Sequence, residues 1–333
     1  MAFPAKRFLV LIGFGILLLV LMSVDIRRTG AVLLSANPKW IALACLATLL
    51  SVVGRGIKWR AMMLEKSGSV PLTTATGVYL KAFLISLATP SRLGEFSRAI
   101  YLRRFMGISR GLATVIADRL IDILLLLGLA VVGAFYFSAV FSRATIPFET
   151  ILLVALAVGA GLWFLVSRLG EAWVQRIAGF VTPPRYREQV TDGFGKVMEE
   201  FRRIFSDRKA VFVGFAIGLV NWALSALTAQ FVGLSLGIVQ PFGFFVSVVA
   251  ITALLDLLPI SVAGIGTRET AVILLFAPIG IPPETAVGFS LLYFAASYLV
   301  CAVAGGALFI LDPLPAASGK DPDRPFSLPG SAL

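Results

Sequence analysis

Apolar residues in this chain come in long blocks, not in alternation. "FLVLIGFGILLLVLMSV" fills positions 8–24, and a second block runs from Trp40 to Gly54 and continues as a helix through "RGIKWRAMMLEK". Further blocks lie at 121–141, 151–166, 211–236 and 284–311. Several approach the roughly 20 residues that cross a bilayer as a helix. A transmembrane barrel needs a period of two, which these blocks lack. The pattern predicts an all-α, polytopic helical membrane protein with about six full transmembrane helices. The first block follows Lys6 and Arg7 like a signal peptide, but it is long for one and no small-residue cleavage site follows. It is read as a retained helix.

Two apolar segments are interrupted. Residues 72–110 begin with "LTTATGVYLKAFLISLATP" and break at "TPSRLGE"; residues 242–283 break at "PISVAGIGTRE". Pro90 and Pro259 end helices because each lacks a backbone donor. Between the halves, 168–209 carries nine basic residues with acids interleaved. Within it "REQVTDGFGKVMEEFRRIF" places Val190, Phe194, Val197, Met198, Phe201, Ile204 and Phe205 at helical spacing. That predicts an amphipathic helix at the cytoplasmic interface, sensing lipid or simply connecting spans. The tail, 312–333, is rich in Pro, Ser and charge and is expected to be disordered.

The distribution of Lys and Arg sets an orientation. The basic segment 168–209 is expected inside, with both termini. Counting backwards, both flanks of 72–110 are then cytoplasmic, and the segment enters and leaves on one side. A full crossing would carry Arg98, Arg103 and Arg104 through lipid, at about 2.5–3.5 kcal/mol each. Counting forwards, 242–283 enters and leaves on the outside. The prediction is two re-entrant hairpins of opposite sense in an inverted-topology repeat spanning 1–311, with binding near the midplane.

Composition narrows the chemistry. The chain has 58% hydrophobic and 14% charged residues, two cysteines and no histidine. The usual neutral-pH proton carrier and commonest metal ligand is therefore missing. No zinc spacing, P-loop, nucleophile elbow or dinucleotide fingerprint is present. No cofactor, metal site or catalytic residue is expected, and the chain is expected not to be an enzyme. The net charge of +11 fits cytoplasmic loops and anionic lipid headgroups better than nucleic acid.

The candidate site residues lie at the breaks. Gly94, Gly264 and Gly266 allow turns that other residues resist. Arg92 and Arg268 offer bidentate geometry for phosphate, and Glu95 and Glu269 are their candidate partners. The same Arg–Glu pairs would also serve merely to close two buried turns. Arg98 belongs to the first return arm. Asp118, Arg119 and Asp122 are placed at the start of the 121–141 helix, with Asp118 and Asp122 on one face. Lys81 and Asp256 sit deeper and are assigned to a cavity.

"TPSRLGEFSRAIYLRRFMGISRGLATVIADRLIDILLLL" and "LLPISVAGIGTRETAVILLF" together resemble the two signatures of the lysylphosphatidylglycerol synthase transmembrane-region family, also called flippase-like. The family includes the membrane part of the multiple peptide resistance factor, which moves aminoacylated phosphatidylglycerol between leaflets. The resemblance implies a lipid-flipping role. It assigns Arg92, Gly94, Glu95, Arg98, Arg119 and Asp122 to a first site and Gly264, Gly266, Arg268 and Glu269 to a second. Asp118 stands where the family pattern has Glu. No soluble aminoacyl-transferase domain follows in this sequence, so the resemblance does not imply lysyl transfer.

The expected function is translocation or presentation of an anionic phospholipid or polyprenyl-linked headgroup, in an inner or plasma membrane. The rivals are a non-transporting partner of a glycosyltransferase or lipid synthase, and a lipid-modifying enzyme.

Overall fold

The structure, a computed structural model, describes residues 25–63, 70–140, 167–181, 184–257 and 264–312, with scattered positions between 152 and 164. The expected helix at 8–24, half of that at 151–166, Pro259 and the tail beyond Asp312 lie outside these residues. The protein is an all-α polytopic membrane protein, and the described residues contain no strand. Its helices are α1 (Ile26–Ser35), α2 (Pro38–Ala61), α3 (Leu72–Leu87), α4 (Ile108–Val140), α5 (Arg168–Val181), α6 (Pro184–Ser206), α7 (Arg208–Ser235), α8 (Phe242–Leu257), α9 (Thr267–Phe276) and α10 (Pro283–Leu311). Among the described residues α2, α7 and α10 are long and apolar enough to cross a membrane.

The helices depart from the expected blocks at several points. Residues 25–39, between the first two apolar blocks, contain α1, because the Asp25 side chain accepts from the backbone N–H groups of Arg27 and Arg28 and caps a helix there. The helix expected at 121–141 begins at Ile108 and has 33 residues, about 50 Å at 1.5 Å per residue. Asp118, Arg119 and Asp122 therefore lie well inside α4, not at its start. They are tolerated because protein partners, not lipid, surround them. Lys58, in the last turn of α2, is buried with them. The amphipathic segment forms α6, which packs on α4. Its apolar stripe, Val197, Met198, Phe201 and Ile204, is buried in a cluster with Ala113, Ala117 and Ile121 of α4. This part of the stripe packs on protein.

The scaffold is built on one long seam between α2 and α7. Asn37 at the start of α2 donates its N–H to Ser235 at the end of α7 at 2.9 Å, Thr48 meets Thr228, Lys58 lies against Gly218, and Met62 against Gly214. The two helices are antiparallel. Around this seam α3 packs on α2 and α10, while α8 packs on α7 and α4. Exchanging α2 with α7, α3 with α8 and α4 with α10 maps these contacts onto themselves. The leading helices of the two halves run in opposite directions, which is the relation an inverted repeat requires. The packing also swaps partners: each half's hairpin arm lies on the last helix of the other half. At both crossings a glycine of that helix admits the arm, Gly305 against Leu80 and Gly133 against Ser247.

Candidate functional site

The first hairpin turns where Pro90 follows Thr89, whose backbone is extended. The chain then runs in 3-10 turns over Pro90–Ser97 and one α-turn over Arg98–Tyr101. Gly94 packs directly on the end of α3: a Cβ there would sit 2.6 Å from the carbonyl carbon of Ile85. The Gly94 N–H donates to the Thr89 hydroxyl at 2.8 Å and closes the turn. Arg92 holds a left-handed backbone, φ 54°, rare for a residue other than glycine. Such a conformation costs on the order of 1–3 kcal/mol and persists only when neighbours hold it.

Behind this turn lies a closed ionic cluster. Arg98 donates to Asp118 at 2.8 Å and to Glu95 at 3.2 Å. Its guanidinium is fully buried and lies over the rings of Trp59 and Tyr79, 4.9 and 5.3 Å from their centres. Lys58 reaches Asp118 at 2.9 Å and Asp122 at 2.6 Å, while Arg119 pairs with Glu95. The i, i+4 carboxylates of α4 share one face as predicted, and Lys58 and Arg98 offset their repulsion. Buried charges demand such pairing.

The second hairpin repeats the device with different residues. Gly266, φ 86°, stands three residues before Glu269, as Arg92 stands three before Glu95. The Glu269 carboxylate accepts from the Gly266 N–H at 2.6 Å, capping α9, and from the Ser290 hydroxyl at 2.8 Å. Arg268 pairs with Glu269 at 3.3 Å and donates to Ser290 at 3.2 Å, tying the turn to α10. Its guanidinium lies over Phe294 and Tyr298. Gly264, φ 74°, leaves room for Asp256: a Cβ there would stand 1.9 Å from that carboxylate.

The halves meet at Arg92. It does not pair with Glu95. Its guanidinium reaches Asp256 of α8 at 3.0 Å and the Tyr298 hydroxyl at 2.5 Å, and Tyr298 donates to the same carboxylate oxygen at 2.5 Å. Tyr298 sits in a π-turn, Ala295–Leu299, that interrupts α10; such bulges recur at functional sites.

This junction forms one wall of a cavity of about 70 Å³ between the α2–α7 seam and both hairpin arms. Hydroxyls share its lining with apolar side chains: Thr48 and Ser51 of α2, Tyr79 of α3, Ser225 and Thr228 of α7, and Thr252 of α8. α10 adds Tyr293, Ser297 and Tyr298. Two cations face it, Arg92 and Arg55. Arg55 donates to Ser51, Tyr79 and Ser225 at 3.4–3.5 Å, and its guanidinium lies 5.2 Å from the centre of the Trp222 ring. No carboxylate lies within ion-pair distance of it among the described residues.

Of the predicted site residues, Arg92 alone lines this cavity, with Asp256 one bond behind it. Glu95, Arg98, Asp118, Arg119 and Asp122 form the first cluster, and Gly264, Gly266, Arg268 and Glu269 build the second turn. Lys81 is corrected: its ammonium binds the Asp312 carboxylate at 2.5 Å and lies over the Tyr101 ring, away from the cavity. Arg55 was not among the predicted site residues; it opens the basic stretch "RGIKWRAMMLEK" that continues the second block. The missed signal is a polar stripe, Thr48, Ser51 and Arg55, at helical spacing inside an apolar run. Among the described residues no group of three metal-ligating side chains suits a metal ion.

These features define a helical membrane protein in which two broken hairpins of opposed halves meet over a polar, cationic cavity. The chain belongs to the lysylphosphatidylglycerol synthase transmembrane-region family, whose pattern matches residues 8–305. It is similar to a UPF0104 membrane protein of Methanocaldococcus jannaschii, 26% identical over 89% of this chain and 92% of the relative. A UPF0104 membrane protein of Pyrococcus horikoshii is 22% identical over 92% of this chain and 96% of its own length. The glycosyltransferase AglD of Haloferax volcanii is 25% identical over 87% of this chain, which spans 51% of that protein.

Proposed function

We propose that this protein carries the anionic headgroup of a membrane lipid between leaflets, through the cavity where its hairpins meet. One observation carries the reading: among the described residues Arg55 of the apolar helix α2 hydrogen-bonds only to hydroxyls, in a cavity that Arg92 also lines. Intramembrane charge is expensive and marks substrate paths. Guanidinium and hydroxyl groups suit phosphate, whether of a phospholipid or a polyprenyl-linked lipid. The acyl or prenyl tails stay in lipid. The first hairpin opens from the cytoplasm and the second from outside, with 168–209 and both termini inside, in the inner or plasma membrane. No covalent bond is made or broken, so the chain is not an enzyme in this reading.

Lipid sidedness in spheroplasts of a deletion strain, complemented with wild type or Arg92→Ala, tests it. The lipid should accumulate in one leaflet without the gene and with the variant. Unchanged sidedness of every anionic lipid would end the proposal.

A second reading has a specific support, the similarity to half of a protein named a glycosyltransferase. In it the chain presents a lipid to a separate membrane enzyme without moving it. Copurification with such an enzyme, and normal sidedness in its absence, would favour that reading.

A further inference from the structure

The interior charges can be counted. In the first cluster three cations, Lys58, Arg98 and Arg119, face three carboxylates, Glu95, Asp118 and Asp122. Arg268 is matched by Glu269, Lys81 by Asp312, and Arg92 by Asp256. Each of these groups is internally neutral. Arg55 is left over, one positive charge with no carboxylate beside it among the described residues. Its three hydrogen bonds, at 3.4–3.5 Å, are at the long limit for such contacts. Neutral hydroxyls and the Trp222 ring face it, and they do not cancel its charge in a medium of low dielectric.

We infer that the cavity takes a singly charged phosphodiester, with Arg55 as its ligand. This rests on the headgroup-binding reading above and narrows it. A phosphodiester brings one negative charge and leaves the interior neutral. A phosphomonoester carries about −1.5 to −2 at pH 7 and a pyrophosphate more, so either leaves excess negative charge buried. A water needs roughly 10–15 Å³, so a cavity of about 70 Å³ has room for a phosphate group. The Ser51 and Tyr79 hydroxyls, which accept from Arg55, would donate to the non-bridging oxygens that face it.

The test is equilibrium binding to the purified full chain in detergent. The probes are short-chain phosphatidylglycerol, short-chain phosphatidic acid, and water-soluble glycerophosphoglycerol. Phosphatidylglycerol should bind at least about tenfold tighter than phosphatidic acid. Arg55→Gln should lose that binding by about tenfold or more, and Arg55→Lys should keep most of it. Phosphatidic acid binding as tightly as phosphatidylglycerol would overturn the inference, and so would an unchanged Kd in Arg55→Gln. If Arg55→Gln does not fold, the ranking of probes on wild type decides alone. Equal binding of glycerophosphoglycerol would keep the single-charge assignment and transfer the site from lipid to a soluble ester. Tight phosphatidylglycerol binding with unchanged lipid sidedness would end the transport reading and leave this one standing.

Discussion

The Arg92 guanidinium lies 3.0 Å from the carboxylate of Asp256, 164 residues further along the chain, and this pair joins the first hairpin's tip to the second hairpin's arm. The Arg92 backbone there is left-handed. Removing one partner leaves a buried charge alone, a loss of about 3–5 kcal/mol in fully buried pairs. Arg92→Met and Asp256→Leu should each lower the thermal midpoint in detergent. The double variant should lose less than the sum, since it leaves neither charge unpaired. Additive losses in this cycle would show that the pair does not couple the halves.

Gly94 and Gly128 make a matched comparison. A Cβ at Gly94 meets the Ile85 carbonyl carbon at 2.6 Å, whereas one at Gly128 meets nothing within 4 Å. Gly94→Ala should cost about 1–3 kcal/mol by forcing the hairpin arms apart. Gly128→Ala should be neutral or stabilising by up to about 1 kcal/mol. Thermal midpoints of both variants check the close approach, and equal midpoints would contradict it.

Arg98 spans two carboxylates and lies over two rings, which a lysine cannot reproduce. Arg98→Lys keeps the charge, yet it should fall clearly below wild type in thermal stability, with Arg98→Ala lower still. Wild-type stability in Arg98→Lys would mean that charge alone, and not the fork, holds the first cluster.

The docking of α6 on α4 separates two positions on one helix. Phe201 is 1% exposed and Val190 is 42% exposed. Phe201→Asp should destabilise the protein strongly by burying an unpaired carboxylate. Val190→Asp should change stability by no more than about 0.5 kcal/mol. Equal effects would place the whole apolar stripe in lipid instead.

The breaks were legible because their chemistry is local. Pro90 removes a donor, and a positive φ at Gly264 and Gly266 is a property of the residue itself. The facing of Asp118 and Asp122 follows from helical spacing alone. Their partner Lys58 was not legible, since 60 residues and a helix crossing separate it from Asp118. The early start of α4 was hidden for the same reason: its charges read as a helix end until Arg98 and Lys58 neutralise them. Arg55 was obscured by its surroundings. Close to Lys58 and Arg60, it carries the signature of a cytoplasmic flank, and only the antiparallel α7 brings Ser225 opposite it and makes a cavity of that face.

Transport through this cavity is tested most directly in proteoliposomes holding the purified protein and a fluorescent phosphatidylglycerol, with a membrane-impermeant quencher added outside. In protein-free vesicles the inner-leaflet fraction stays protected. With wild type, with or without an imposed ion gradient, that fraction should become quenchable, and Arg55→Gln should restore protection. Protection equal to that of protein-free vesicles, or undiminished quenching with Arg55→Gln, would contradict passage of the headgroup past Arg55.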